Sequence, residues 1–283
     1  MSRLVLQVTC PDQPGIIARF TGLLFDQGAN VLRLEQHVEP EPNLFFMRIV
    51  ADLGGSRLSS PVLQGRVQAL AESLGARTAF RDPDSRARVA VLVSREEACL
   101  HDLALGQKSG DLPCALALVI SNHDRLRPVA ESFQIPFHHF PVDKETKPAQ
   151  ERQVLALLEE QSVDLVVLAR YMQVLSADFV RRWEGRIINI HHGFLPAFKG
   201  GRPYHQAWER GVKLIGATAH YVTEEVDEGP IISQDTVSVT HQHGAEEMAR
   251  AGRDIERRVL TAAVKAHLEH RIILHGRRTI IFH

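Results

Sequence analysis

The chain has 283 residues, of which 44% are hydrophobic, and a formal net charge of −1 at pH 7. This is enough for two folded domains, and the near-neutral charge provides no electrostatic attraction to nucleic acid or to an anionic membrane. The three cysteines (Cys10, Cys99 and Cys114) are widely separated, a spacing that favours neither a disulfide framework nor a metal site. The chain has no apolar run of transmembrane length and no secretory signal at its start, so the sequence predicts a cytoplasmic protein.

The first 80 residues alternate between strand and helix patterns. The predicted strands cover residues 4–9, 31–37, 44–52 and 76–80. Two amphipathic helical patterns begin at Ile16 and Pro61. The resulting order, βαββαβ, predicts a ferredoxin-like unit in which two helices cover an antiparallel sheet.

A turn and the chain that follows it resemble ACT domains. The turn is Thr9–Gly15 (T-C-P-D-Q-P-G), and a helix then leads to Gly28-Ala29-Asn30-Val31. The resemblance implies a domain over residues 1–83 that pairs with other copies, as a dimer or higher oligomer, and binds a small amino acid such as glycine or methionine. A purely structural dimerisation module is the alternative, because fold does not determine function.

From Val89 onward the strand patterns become continuously apolar, as is typical of strands buried on both faces. The predicted strands cover 89–93, 115–120, 137–140, 165–168, 187–191 and 214–221, with a last edge strand at 279–282. Helical patterns separate most of them, and a long one covers Ala245–Leu268. This alternation predicts a doubly wound, Rossmann-like parallel sheet over residues 84–283. Ser94-Arg95-Glu96-Glu97 after the first strand has no glycine, which argues against a dinucleotide site.

The segment Ile187–Ile232 carries the candidate chemistry. Asn189 and His191 lie two residues apart at the end of a predicted strand, so their side chains point to the same face. Asp227 follows in an acidic turn. An amide donor, an imidazole and a carboxylate are together suited to attack on a carbonyl without a covalent nucleophile. A purely structural role is the alternative for each of these three residues. The residue types alone do not determine which reaction takes place.

The same segment resembles the folate-dependent formyltransferase family. The resemblance rests on Ile188–His192, Phe194–Gly200, Pro203–Ala207 and Asp227–Ile232, and on Ile120–His123 and Ala169–Gln173 further upstream. His192-Gly193, where the transferases usually have Pro-Ser, and the ACT-like domain together favour the hydrolytic, deformylase branch. Two glycines depart from that branch, Gly193 where serine is usual and Gly201 where alanine is common.

This resemblance implies hydrolysis of 10-formyltetrahydrofolate to formate and tetrahydrofolate, which would supply formate for purine synthesis and balance the one-carbon folate pool. It implies catalytic roles for Asn189, His191 and Asp227, with no metal and no cofactor besides the folate substrate. The residues it implies for folate binding are Arg170, Tyr171, Met172, Gln173, Val174, Leu175, His192, Gly193, Tyr221, Val222, Thr223 and Gly229.

Three other functions were weighed against this one. Formyl transfer to an amine acceptor such as glycinamide ribonucleotide needs a phosphate-binding loop, which Ser94–Glu97 does not provide. An amino-acid sensor would leave Asn189, His191 and Asp227 without a task. A metal hydrolase could use the histidine pairs, but these lie on separate elements without the spacing of a metal-binding helix.

Overall fold

The computed structural model describes residues 3–197 and 203–283. These residues form two compact units. The first contains the chain up to Arg86 together with Glu269–His275 and Ile280–His283, and the second contains Ala87–Leu268 and Gly276–Thr279. The sequence-based division at residue 83 assigned the whole C-terminus to the second domain, whereas the contacts group most of it with the first. Within the described ranges, no helix has the length and apolar character to cross a membrane.

The first unit has the predicted βαββαβ order. Its elements are β1 (Arg3–Pro11), α1 (Ile16–Asp26), β2 (Asn30–Glu39), β3 (Leu44–Asp52), α2 (Ser60–Ser73) and β4 (Arg77–Arg81). The strands form an antiparallel sheet in the order β2-β3-β1-β4. Each helix buries residues four apart on one side, Ile16, Phe20 and Leu24 in α1 and Leu63, Val67 and Ala71 in α2. The ferredoxin-like prediction is therefore confirmed.

The C-terminal residues of this unit pack on β3. They include most of a hairpin formed by β12 (Ile272–His275) and β13 (Arg278–Ile281). Phe46 is fully buried against Ile273 and Phe282. Arg48 donates hydrogen bonds of 2.9 Å to the carbonyl oxygens of Glu269 and His270. Because successive side chains of a strand point to opposite faces, Phe46 and Arg48 lie on the face opposite the helices.

The second unit is an α/β layer structure. Its strands are β5 (Ala87–Val93), β6 (Cys114–Ser121), β7 (Phe137–His139), β8 (Leu165–Leu168), β9 (Ile187–His191), β10 (Leu214–Tyr221) and β11 (Ile231–Ser238). Its helices are α3 (Ala98–Ser109), α4 (Arg127–Ser132), α5 (Lys147–Glu160), α6 (Ala177–Arg182), α7 (Pro203–Glu209) and α8 (Ala245–Leu268). β5, β8 and most of β6 are buried, as their apolar sequences predict.

The sheet of this unit is mixed. In the residues described, its order is β11-β10-β9-β8-β5-β6-β7. The five strands from β9 to β7 are parallel, whereas β10 and β11 run antiparallel to their neighbours. The predicted doubly wound sheet is therefore present, with five parallel strands and an antiparallel edge that the sequence did not predict. The segment between β10 and β11 is too short for the crossover that a parallel pair requires, so β11 must return beside β10.

Two elements near the candidate site, β11 and α7, were absent from the sequence-based prediction. Both elements frame the candidate site, since β11 follows the turn that carries Asp227 and α7 carries Tyr204.

Candidate active site

β9 places Asn189 and His191 at its carboxyl end. His191 is 4% exposed and Asn189 is half-buried. β10 runs antiparallel beside β9, with His220 directly opposite Asn189 and Thr218 opposite His191. Side chains of directly opposed residues are close in space on an antiparallel pair. The strand pairing therefore brings the His220 imidazole to the Asn189 amide.

Asp227 approaches the two histidines from the loop between β10 and β11. Its Oδ2 lies 3.3 Å from Nδ1 of His191, and its Oδ1 lies 3.8 Å from Nε2 of His220. The backbone of Asp227 has a φ of 59°, in the left-handed region that few side-chain-bearing residues adopt. The structure thus brings Asn189, His191 and Asp227 together around one point, as predicted, and adds His220 to them.

The hydrogen bonds of His220 determine which of its nitrogens carries the proton. Nδ1 lies 2.9 Å from the carbonyl oxygen of Tyr221, which can only accept, so Nδ1 must donate. Burial lowers the pKa of His220, which favours the neutral ring. Nε2 of the neutral ring is then an acceptor, and it receives a hydrogen bond from Nδ2 of Asn189 at 3.1 Å. His220 therefore holds the Asn189 amide in one orientation.

These groups face a cavity of about 260 Å³. Two loops form much of its wall, residues 170–175 after β8 and residues 222–227 after β10. Ligands of open α/β sheets bind beyond the carboxyl ends of the strands, where such loops gather. The first loop is anchored from behind. The Met172 amide donates to Oγ of Ser94 at 3.0 Å, Gln150 donates to the Tyr171 hydroxyl at 3.1 Å, and Nζ of Lys147 donates to the Val174 carbonyl.

Most of the residues predicted to bind folate line this cavity. They are Arg170, Tyr171, Met172, Gln173, Val174, Leu175, His192, Val222 and Thr223. The cavity wall does not include Gly193, Tyr221 or Gly229. Each of these three residues instead has a structural role outside the cavity lining.

Gly193 and Tyr221 are tied to neighbouring elements. The carbonyl of Gly193 accepts a 3.0 Å hydrogen bond from the fully buried Thr218 hydroxyl. Tyr221 is buried, and its hydroxyl lies 2.8 Å from Nδ1 of His267 on α8. The two residues therefore brace the loop after β9 and the end of β10.

Gly229 is required by a close backbone approach. A Cβ atom at this position would lie 1.7 Å from the carbonyl oxygen of Tyr221, far inside van der Waals contact. Only glycine lets the loop that carries Asp227 return this close to β10.

Arg170, which lines the cavity, forms an ion pair with Glu256 behind the wall. Nε of Arg170 is 3.5 Å from Oε2 of Glu256, and the Tyr204 hydroxyl donates to Oε1 of Glu256 at 2.6 Å. Burial raises the pKa of Glu256, while Arg170 and the Tyr204 hydrogen bond oppose that increase. Burial, with the positive charge of Arg170 as the next contribution, lowers the pKa of His192 from 6.5 to about 3. His192 is therefore a neutral part of the wall.

The sequence analysis missed His220 and the Arg170–Glu256–Tyr204 group. A signal for His220 was present, since it is the one histidine in the otherwise mostly apolar strand Leu214–Tyr221. No local signal linked Glu256 to Arg170, which lies 86 positions earlier. Residues 198–200 of the family-like motif, and Gly201, lie outside the described residues. In the ranges that are described, no three His, Cys, Asp or Glu side chains are grouped so that they could hold a metal ion.

Comparison with known proteins connects this site to a family. The formyl transferase family model matches residues 87–264, and the ACT domain model matches residues 4–57. A formyltetrahydrofolate deformylase from Synechocystis sp. is 47% identical over 277 residues, which cover 98% of this chain and 97% of the relative.

Solved structures agree with this relationship. The crystal structure of a formyltetrahydrofolate deformylase from Pseudomonas syringae superposes with a TM-score of 0.96 at 41% identity, covering 100% of this chain and 95% of that chain. A glycinamide ribonucleotide transformylase from Symbiobacterium toebii matches 72% of this chain and 97% of its own, with a TM-score of 0.67 at 33% identity. The deformylases match both units, and the chain belongs to the formyltetrahydrofolate deformylase family.

Proposed function

We propose that this protein hydrolyses 10-formyltetrahydrofolate to formate and tetrahydrofolate, with water as the acceptor of the formyl group. The observation that carries the proposal is the convergence of Asn189, His191 and Asp227 at one cavity, with Asp227 Oδ2 3.3 Å from His191. Membership of the deformylase family supports the same reaction.

In the proposed mechanism, Asp227 holds a water molecule and takes its proton as the water oxygen attacks the formyl carbon. Charge then develops on the formyl oxygen. Asn189 and protonated His191 stabilise this oxyanion. The bond between the formyl carbon and N10 breaks, and His191 delivers a proton to N10. The proton of the water could also pass from Asp227 through His191, since the two side chains are in contact.

His220 positions one of these groups rather than acting on the substrate. It receives one of the two amide hydrogens of Asn189. Because this bond fixes the amide group of Asn189, the second amide hydrogen also has a fixed direction. We propose that this second hydrogen is donated to the formyl oxygen. A donor that is already oriented before the reaction needs no reorganisation as charge develops, which is why such groups are effective.

The two loops of the cavity are the proposed folate site. Residues 170–175 and 222–227 line it with both apolar and polar residues, which suits a flat heterocycle whose edges are recognised by hydrogen bonds. The carboxylates Glu224, Glu225 and Asp227 lie on one of these loops. No metal and no further cofactor is part of the proposed reaction.

The ACT-like unit is proposed to join copies of the chain and to bind a small amino acid, with glycine and methionine as candidates. The match to ACT domains over residues 4–57 supports this proposal. We also propose a cytoplasmic location, which the burial and the wide spacing of the three cysteines support.

The test is an incubation with 10-formyltetrahydrofolate and no other acceptor, in which formate and tetrahydrofolate are followed together. We expect equal amounts of both products. For Asp227→Asn we expect the turnover number to fall by a factor of about 10² or more. Asp235→Asn, an exposed carboxylate on β11, is the matched control.

Three additions make this assay more specific. If product formed only after an amine was added, the hydrolase proposal would be wrong. Activity that is lost to a chelator and restored by a divalent ion would contradict a metal-free reaction. Glycine or methionine is expected to change the rate, and indifference to both would leave the ACT-like unit with a structural role only.

A further inference from the structure

Arg170 in the cavity wall and Glu256 behind it form an ion pair that the proposed mechanism does not use. Glu256 on α8 is 1% exposed, and its carboxylate contacts both Arg170 and the hydroxyl of Tyr204. The side chain of Arg170 is 16% exposed. Its Nε and Nη1 atoms are buried and have no hydrogen-bond partner among the residues that the structure describes. A buried ion pair that is incompletely hydrogen-bonded contributes little to stability, so stability alone does not account for this pair.

The packing around this pair is tight. A Cβ atom at Gly252 would lie 2.0 Å from the Tyr204 hydroxyl oxygen. Gly252 and Glu256 are four residues apart on α8 and so share one face of the helix. Tyr204 therefore rests directly on the helix backbone at Gly252, and its hydroxyl reaches Glu256 from there. Glycine within a helix costs about 1 kcal/mol relative to alanine, and here it makes room for the tyrosine.

This cluster forms the wall beside the reacting groups. Arg170 and His192 line the cavity together with His191 and Asp227. The ring centroid of His192 is 5.5 Å from that of His191 and 6.1 Å from that of Tyr204. Arg170, His191 and His192 thus all line the cavity, whereas Tyr204 and Glu256 are not part of the lining and contact it through His192 and Arg170. The wall is filled and close to neutral in net charge.

A filled wall at this place bears on which nucleophile can attack. The transformylase compared above shares the fold, so the fold alone does not select between water and an amine. An amine needs room for its carbon substituent beside the formyl carbon, whereas water does not.

We propose that Arg170, Glu256 and Tyr204 form a barrier that keeps amine acceptors away from the formyl carbon and so makes the reaction a hydrolysis. The inference rests on the proposed function. In the excluded reaction, the amine nitrogen attacks the formyl carbon, the bond to N10 breaks, N10 gains a proton and the amine loses one. The products would be tetrahydrofolate and an N-formyl amide in place of formate.

The test measures how the formyl group divides between water and an added amine. The full-length protein is given 10-formyltetrahydrofolate and a high concentration of glycinamide at a pH near the pKa of this amine. Formate, N-formylglycinamide and tetrahydrofolate are quantified. For the unchanged protein we expect formate as the only enzymatic product. For Glu256→Ala, which opens space behind Arg170, we expect the share of N-formylglycinamide to rise about tenfold above the non-enzymatic background.

A second variant and a control keep the test decisive. Tyr204→Ala opens the same wall without leaving a charge unpaired, and is expected to raise the amide share if Glu256→Ala fails to fold. Glu246→Ala removes an exposed carboxylate from the same helix and should leave the products unchanged. The barrier is refuted if folded Glu256→Ala and Tyr204→Ala still release only formate, or if the unchanged protein already formylates the amine. An unchanged protein that releases no formate would instead refute the proposed hydrolysis itself.

Discussion

Replacing His220 with phenylalanine tests whether this histidine orients Asn189. The substitution keeps a ring in the strand but removes the 3.1 Å hydrogen bond from Asn189 and the 2.9 Å hydrogen bond to the Tyr221 carbonyl. Without the first bond, the Asn189 amide can turn and present its oxygen to the substrate. The stability cost should be about 1 kcal/mol for the lost bond to Asn189 and about 1–3 kcal/mol for the Tyr221 carbonyl that is left unpaired.

The effect on turnover can be bounded from both sides. If only the net energy of the orienting bond is lost, kcat falls about fivefold, which corresponds to about 1 kcal/mol. If the amide no longer donates at all, kcat falls about 10²–10³, as when an oxyanion donor is deleted. We expect a decrease of about 10- to 100-fold in kcat with little change in KM, because the bond matters mainly once charge develops.

The assay is steady-state formate release by variants whose melting temperatures show them to be folded. Asn189→Ala alone should lower kcat by about 10²–10³. When His220→Phe is combined with Asn189→Ala, kcat should fall by less than a further factor of about three, because the group that His220 orients is gone. His241→Phe in an exposed turn is the matched control. Effects of His220→Phe and Asn189→Ala that multiply fully would show that His220 acts independently, and the positioning argument would fail.

Two further predictions concern the loop and the wall of the cavity. Gly229→Ala would place a Cβ atom 1.7 Å from the Tyr221 carbonyl oxygen. The free energy of unfolding, measured by urea denaturation, should therefore fall by about 1–3 kcal/mol. Most of the activity, measured as formate release, should be lost. Gly244→Ala, where the nearest atom is 3.8 Å away, should be well tolerated, and equal behaviour of the two variants would contradict the packing. Because the pKa of His192 is lowered from 6.5 to about 3 in the folded protein, the unfolded chain takes up the proton first as the pH falls. His192 therefore has no effect on the free energy of unfolding above about pH 6.5, and it lowers that free energy progressively as the pH falls from there toward about 3. The variant His192→Asn should lose less stability in acid than the unchanged protein. Parallel curves of stability against pH would refute this.

Much of the architecture was predictable because it depends on local periodicity. The apolar runs of β5 and β8 predicted buried strands, and the four-residue spacing of Ile16, Phe20 and Leu24 predicted the inner face of α1. The position of Asn189 and His191 on one face follows from the two-residue repeat of a strand. The resemblance of the surrounding motifs to a known family supplied the expected chemistry.

Tertiary structure decided what depends on residues far apart in the chain. The antiparallel direction of β10, and with it the contact of His220 with Asn189, depends on how strands are placed in the sheet. The left-handed backbone of Asp227 is held by its loop and is not encoded by its residue type. Arg170 and Glu256 meet because α8 packs on β9, β10 and β11, and β9 is the neighbour of β8, which Arg170 follows. By itself the sequence determined which side chains face inward along each element, since burial repeats with local geometry. Which inward side chains meet depends on the free energy of the whole packed unit, and only the folded structure determines that.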